Sequence, residues 1–344
     1  MPVVWSDQCR SHDPRAEVFV GVPTPATEVA ARADAILETL REAGAPVVEP
    51  ASHPDTALQA VHDAELLAYL ESAWETWSAA GLPRDPGQDR VVPYVFTHAG
   101  PGAEPRLPKA VWALPGYFAY DTMTLIGPGT WEAARAAADS ALTAVEYVVD
   151  GARAAYALCR PPGHHVSRSR FGGSCYLNNT AIAAAELARR TDGCVAVIDI
   201  DAHHGNGTQE IFWERDDVLV GSVHVDPGAG WFPHFVGFAD ESNGANRNLP
   251  LAPGSADEAW LEAVRELANW TSGVAALVVA LGVDAAARDP ESPLEVSASG
   301  YREAGRILGG LGLPTVVVQE GGYDLETIGG LVLETLVGLE EGRP

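Results

Sequence analysis

Residues 194–209 read CVAVIDIDAHHGNGTQ. The first half is an almost unbroken run of small and β-branched apolar side chains. A short run of that kind, closed by a polar turn, is the signature of a strand buried on both faces. Four other runs share the character: AAYALCR (154–160), DVLVGSVHV (217–225), AALVVALGVD (275–284) and PTVVVQEGG (314–322). Between them lie NTAIAAAELARR (179–190), DEAWLEAVRELANW (257–270) and SASGYREAGRILGGL (297–311), where apolar residues recur at helical spacing. Strand and helix in alternation predict an α/β fold, a central parallel sheet covered by helices on both faces. The first 150 residues add helices near 26–43 and 130–150 and a Pro/Gly-rich stretch from Leu82 to Pro108. A loop that long in a compact unit is usually functional or an interaction arm. No linker divides the chain, so residues 1–344 are expected to form a single domain.

Composition narrows the function. The chain is 47% apolar, which rules out general disorder, and carries 47 acidic against 22 basic residues for a net charge of −25. Lys109 is its one lysine. Such a surface repels phosphate backbones and draws cations, so nucleic acid is not an expected partner. Cys9, Cys159, Cys175 and Cys194 form no C-x-x-C pair or disulfide framework, which points to reduced thiols and a cytoplasmic location. The N-terminus lacks a basic segment followed by an apolar one, and no apolar run approaches the ~18 residues of a membrane span. Neither secretion nor membrane insertion is expected.

Parallel sheets bind ligands beyond the carboxyl ends of their strands, and there the reactive side chains gather. The five runs deliver His164 and His165; Asp199, Asp201, His203 and His204; Ser222, His224 and Asp226; Asp284; and Tyr323 after Glu320-Gly321-Gly322. Asp201 and His203 are two apart in an extended segment and so point the same way. A lone D-x-H is usually a solvated strand end. Here a second histidine, a G-N-G turn and an Asp-ending apolar strand surround it. With Asp284 as third ligand, one coordination position stays open for water, the pattern of a catalytic zinc site. His164 and His165 can serve as base for that water and acid for a leaving amine, since imidazole titrates near neutrality. Tyr323, after two glycines, can aim a hydroxyl at an oxyanion. Ser222 lies in no Gly-x-Ser-x-Gly elbow, which argues against a serine hydrolase.

RPPGHH (160–165), GGSCYLNN (172–179), DIDAHHGNGTQEIF (199–212), LGVDAAARDP (281–290) and EGGYD (320–324) together resemble the zinc-dependent deacetylase family of histone deacetylases, acetoin-utilisation proteins and bacterial acetylpolyamine amidohydrolases. The similarity runs from Glu17 to the C-terminal helix. It is nearest the acetylpolyamine branch through DP…FPHF…GF (226–238) and PGTWEAA (128–134). The resemblance implies a three-layer arginase/deacetylase fold with about eight parallel strands and one zinc held by Asp201, His203 and Asp284. It casts His165 as the main acid/base and His164 as its electrostatic partner, with Asp199 orienting His164, Asn206 bonding His165, and Tyr323 donating to the oxyanion. It implies a structural potassium ion at Asp199, Ser222 and Val223, and a second at Phe212, Arg215 and Val218. Glu17, Gly173, Ser174, Trp231 and Phe232 fall at substrate-binding positions. The implied substrate is a small acylated amine, and the arm at 82–108 would narrow the mouth and build a homodimer.

Some positions depart. Ser174 stands where relatives place an aromatic wall, which widens the slot toward bulkier acyl groups or other amines. A second acidic rim position falls near Trp112 or Ala113 and is lost. Protein acetyl-lysine and small biosynthetic metabolites are the alternative substrates. A two-manganese ureohydrolase would need carboxylates where Gly205 and Ala286 stand. A non-catalytic acetyl-amine sensor would be expected to lose a metal ligand or the tyrosine, and all are present.

Overall fold

The computed structural model describes residues 1–82, 90–98 and 105–344. In chain order its elements are β1 (Val3–Val4), β2 (Ala16–Phe19), β3 (Val22–Pro25), α1 (Ala30–Glu42), β4 (Val47–Val48), α2 (Thr56–Gln59), α3 (Ala64–Ala79), α4 (Pro115–Phe118) and α5 (Thr130–Val149). There follow β5 (Ala154–Ala157), α6 (Asn179–Arg190), β6 (Val195–Asp199), α7 (Asn206–Phe212), β7 (Val218–Val225), β8 (Asn246–Leu251) and α8 (Asp257–Trp270). The chain closes with β9 (Ala276–Leu281), α9 (Ala298–Gly309), β10 (Thr315–Gln319) and α10 (Ile328–Gly342).

Eight strands make one parallel sheet in the order β4-β1-β5-β10-β9-β6-β7-β8, while β2 and β3 pair as a separate antiparallel hairpin. The five strands expected from apolar runs form its centre. Every residue of β5, β6, β9 and β10 is buried, which is why those runs are continuous and do not alternate. One helical layer is α5 and α6; the other is α1, α10, α9 and α8 packed side by side. Helix α5 is buried nearly all round, and its alanines let it lie close on the strands. Glycines weaken the helical pattern of 297–311, yet they are the contact between α9 and α10. A Cβ at Gly305 or Gly309 would strike the α10 backbone, and one at Gly338 or Gly342 would strike that of α9.

Three sheet strands escape the sequence reading for physical reasons. β1 and β4 are two residues long. β8 is an edge strand with an alternating pattern, and Pro250 is tolerated there because an edge leaves one ladder side unpaired. The GNG stretch, expected as a turn, instead opens α7 at Asn206.

His62, just before α3, braces the loop that carries the histidine pair. Its Nε2 accepts the Asn178 N–H at 3.0 Å and its Nδ1 donates to the Ser167 carbonyl at 3.0 Å. Asn178 in turn caps α6 and donates to the Val166 carbonyl. Both contacts of His62 require the neutral ring, and burial pulls its pKa down to about 4. Burial does the same to His224, at about 4, and His12, at about 3. These folded-state values lie below the unfolded one. Their stabilisation is therefore present above pH ~6.5 and drains away as pH falls toward 4, by about 3 kcal/mol for a ring such as His62. Chemical denaturation of the wild type and of a His62→Gln variant, which keeps a donor and an acceptor, should show the wild type losing more stability between pH 7 and pH 4, by up to about 3 kcal/mol. The same pH dependence in both proteins would mean that His62 titrates normally.

Candidate active site

The site lies at the carboxyl edge of four adjacent strands. β6 ends at Asp199 and runs on through Asp201 and His203; its neighbour β9 runs on to Asp284; β10, beside β9, runs on to Glu320-Gly321-Gly322-Tyr323. Asp201, His203 and Asp284 converge, with one ligand atom from each lying within 4.8 Å of the others. Among the described residues this is the cluster of carboxylate and imidazole groups able to hold an ion. His203 Nδ1 faces Asp201 Oδ1 at 3.3 Å and Asp284 Oδ2 at 3.1 Å, while its Nε2 donates to the Glu291 carbonyl at 3.0 Å. The carboxylates are aimed by main-chain donors: Gly321 N–H on Asp201 Oδ2 at 2.7 Å, and Ala202 N–H on Asp284 Oδ1 at 2.8 Å.

A divalent metal fits this donor set. Burial and the Asp201 charge push Asp284 up to about 7, and although burial opposes it, the two carboxylates hold His203 well above the usual imidazole range. The unmetallated cluster thus gathers a proton to offset its charge, where a cation would do so better. With Nε2 committed to a carbonyl, the Nδ1 lone pair is free for an ion, the usual outer support of a metal-bound histidine. The space is cleared by two glycines. A Cβ on Gly282 would collide with Asp201, and one on Gly321 with both aspartates.

Beside the cluster stand the paired histidines, ring centroids 4.0 Å apart. His164 Nδ1 donates to Asp199 Oδ2 at 2.9 Å; His165 Nδ1 donates to Asn206 Oδ1 at 2.7 Å. Their surroundings drive them apart. Burial disfavours charge on both, but Asp201 and Asp199 lift His164 to about 10, whereas burial and the neighbouring imidazoles hold His165 well below its ordinary value. The two environments thus favour opposite protonation states in the two rings.

Several supporting residues carried no assigned role from sequence. Glu320 takes the N–H groups of Gly163 and His164 at 2.6 and 3.1 Å and the Thr180 hydroxyl at 2.6 Å, which binds the PPGHH loop to the turn before Tyr323. Arg32 reaches the Gly322 and Glu320 carbonyls at 2.5 and 2.7 Å, and its guanidinium lies 4.6 Å from the Tyr323 ring centre. Glu28 pairs with both Arg32 and Arg160, all three buried. Glu320 sits inside a quoted motif. Arg160 opens the quoted RPPGHH motif, whereas Glu28 and Arg32, four residues apart, lie in no quoted motif, and only burial of their charges reveals them.

A cavity of about 440 Å³ opens over the metal cluster, with His165, His203 and Tyr323 among its walls. Gly173, Ser174, Trp231 and Phe232 line it, joined by Phe19 and Met123, which the sequence reading did not name. Phe232 meets His165 edge-on at 4.8 Å. Gly173 must be glycine, for its φ is +60° and a Cβ would run into His165. Glu17 is buried on β2 and is not a lining residue; burial, then Glu291 and Asp121, push its carboxyl up to about 7. Asp199 and Ser222 are register partners on β6 and β7, with Val223 next; the Ser222 hydroxyl bonds His224 at 2.7 Å. Phe212 ends α7, Arg215 pairs with Asp217 at 2.6 Å, and Val218 opens β7. The arm expected at 82–108 lies partly outside the described residues. Its described part is tied to the body by Val91 N–H to the Ile126 carbonyl at 2.7 Å and Thr97 N–H to the Gly116 carbonyl at 3.0 Å. Among the described residues no helix is long and apolar enough to cross a membrane.

Residues 26–339 match the histone deacetylase domain family. The chain is 38% identical to the acetylpolyamine amidohydrolase of Mycoplana ramosa, over 98% of this chain and 99% of that protein. It is 39% identical to acetylpolyamine amidohydrolase 1 of Pseudomonas aeruginosa, over 98% of both. The crystal structure of the Burkholderia pseudomallei acetylpolyamine aminohydrolase superposes over the whole of both chains with a TM-score of 0.94 at 38% identity. With a parallel sheet whose edge gathers two aspartates, three histidines and a tyrosine, of which His165, His203 and Tyr323 line one cavity, the chain belongs to the histone deacetylase family and is a deacetylase, a hydrolase of acyl amides.

Proposed function

We propose that this protein is a zinc-dependent amidohydrolase that removes acetyl groups from small cationic amines of the acetylpolyamine kind. The observation that carries the reading is the convergence of Asp201, His203 and Asp284 beside the paired histidines His164 and His165 under one cavity. Resemblance to acetylpolyamine amidohydrolases along nearly the whole chain supports the substrate class. So does the net charge of −25 with Glu291 in the cavity wall, which favours cations. The same reading includes one zinc per chain and potassium at Asp199, Ser222 and Val223, with a second ion near Phe212, Arg215 and Val218. It also includes a single-domain cytoplasmic enzyme that forms homodimers; exposed Tyr94, Phe96 and Trp112 beside the arm support the last point.

Asp201, His203 and Asp284 would hold the zinc, which supplies Lewis acidity toward an acyl oxygen and a water molecule. The protein does the proton work. With its Nδ1 proton given to Asn206, His165 keeps Nε2 as the acceptor and takes a proton from attacking water. His164, its Nδ1 proton hydrogen-bonded to Asp199, stands beside the reacting atoms as an electrostatic partner. The Tyr323 hydroxyl donates to the acyl oxygen as it becomes an oxyanion, worth about 3 kcal/mol for one well-placed donor. The amine nitrogen leaves with a proton from the histidine pair, and acetate is the other product.

A second reading, deacylation of a bulkier small metabolite, is favoured by the wall at Ser174 and by Phe19, 55% exposed at the entrance.

Asp201→Asn should abolish bound zinc and lower acetate release beyond about 1,000-fold; metal analysis and a product assay on the same preparation check this. Tyr323→Phe should keep the zinc and the fold, lose about 100-fold or more in kcat and leave KM within a few-fold. A variant that retained wild-type kcat would remove the tyrosine from the mechanism. Acetylputrescine and acetylspermidine should outpace an acetyl-lysine peptide by about tenfold or more in kcat/KM, because a cavity with charge at its wall selects small cations. Equal turnover of peptide and polyamine contradicts the substrate class, and faster turnover of longer acyl amides selects the second reading.

A further inference from the structure

We infer that Asp289 is a positioning residue whose single carboxylate sets both Tyr323 and His203, an inference that rests on the roles given to those two side chains above. Asp289 follows the apolar β9 run by several residues, is 7% exposed and does not line the cavity. Its Oδ2 accepts the main-chain N–H of Tyr323 at 2.6 Å and that of Asp324 at 3.3 Å. Its Oδ1 accepts the N–H of Glu291 at 3.0 Å. The carbonyl of that same Glu291 receives the Nε2 proton of His203 at 3.0 Å. One side chain therefore fastens the loop after β10 to the loop after β9, and through it the histidine after β6.

The need for such a fastener is written in the chain. Tyr323 follows Gly321 and Gly322, the latter at φ +122°, so the turn that delivers the hydroxyl is intrinsically loose. Arg32 grips its carbonyls, at Glu320 and Gly322, and lies on the tyrosine ring. The Tyr323 N–H is gripped by Asp289, and charge-assisted bonds to a buried carboxylate are the strong kind. Pro290, between Asp289 and Glu291, has a fixed φ and shortens the play of the peptide that carries the Glu291 carbonyl. Pro290 and Glu291 also form cavity wall, so the segment that touches substrate is the one that orients the donor and the metal ligand. Outer partners of this kind typically govern tenfold to a hundredfold in activity or metal affinity.

The test is a cycle of Asp289→Asn and Asp289→Ala in the wild-type and Tyr323→Phe backgrounds, assayed on acetylputrescine and by competition for zinc with a chromogenic chelator. In the wild-type background Asp289→Asn should lower kcat about tenfold or more with KM within about threefold. In the Tyr323→Phe background the same change should cost less than about threefold, because the group it positions is gone. The zinc dissociation constant should rise about tenfold in both backgrounds, because that effect runs through His203. If Asp289→Ala does not fold, the asparagine variant, which keeps one acceptor oxygen, gives the reading alone. An equal kcat loss in both backgrounds overturns the inference, as does unchanged kcat and zinc affinity. A wild-type chain that neither binds zinc nor cleaves acetylputrescine overturns the functional reading and this inference with it; an active wild type with an indifferent Asp289 overturns only the latter.

Discussion

Two carboxylates, Asp201 and Asp284, are buried side by side against one imidazole, an arrangement costly to leave uncompensated. Removing like charges from water beside each other is strongly unfavourable unless a cation joins them. That constraint shapes what surrounds it. Gly282 and Gly321 are glycines because a Cβ would fill the space the carboxylates need. Main-chain N–H groups of His203, Ala202 and Gly321 point at the aspartates, so the loops must turn where they do. The apolar strands behind them are rigid and fully buried, which turns a cluster of charges into a fixed geometry.

A second layer of buried charge holds the loops in place without touching the cavity. Glu28 bridges Arg32 and Arg160, and the two guanidiniums spend their remaining donors on main-chain carbonyls at Cys9, Glu320 and Gly322. The carboxyl of Glu28 stays below its usual range: burial pushes upward, and the two arginines more than offset it. A network of this kind adds little net stability over an apolar core, but breaking one partner strands the others. Its value here is geometric. It connects the N-terminal hairpin region and α1 to the turn that delivers Tyr323, and so couples the least regular part of the chain to the most exacting one.

Continuous apolar runs ending in reactive residues were enough to read the central strands and, from them, the edge where Asp201, His203, Asp284, the histidine pair and Tyr323 meet. A two-residue periodicity and a strand end are local properties, so local sequence carries them. The short strands β1 and β4 leave no period to detect, and β8 hides because an edge strand mixes polar residues and a proline. The roles of Arg32, Glu28 and Asp289 were not legible for a different reason. Arg32 and Asp289 work through main-chain groups brought near by the fold, and a hydrogen bond to a carbonyl or N–H leaves no trace in the identity of the residue that supplies it. Glu28 works through two buried guanidiniums, one of them on the distant Arg160. Glu17 is the converse case: an acidic residue read as rim is buried, because β2 turns that side chain inward against the body.

Packing bears on whether a second metal could be held at this sheet edge. A dinuclear hydrolase on this sheet edge would need a carboxylate two residues after His203, at position 205. Any Cβ there would collide with the Asp199 carboxylate and approach His164 Nδ1 to 3.3 Å. Asp199 accepts the Nδ1 hydrogen bond of His164, so the space a second metal's ligand would occupy is the space the His164–Asp199 pair uses. Position 286 offers no relief: Ala286 is buried and bridged to Val296, with room for a methyl and no charge partner for a carboxylate. A carboxylate at position 205 and the His164–Asp199 pair are thus sterically exclusive in this chain. The space goes to an imidazole held by a carboxylate beside a second imidazole, and two rings in opposed environments are suited to taking up and giving out a proton.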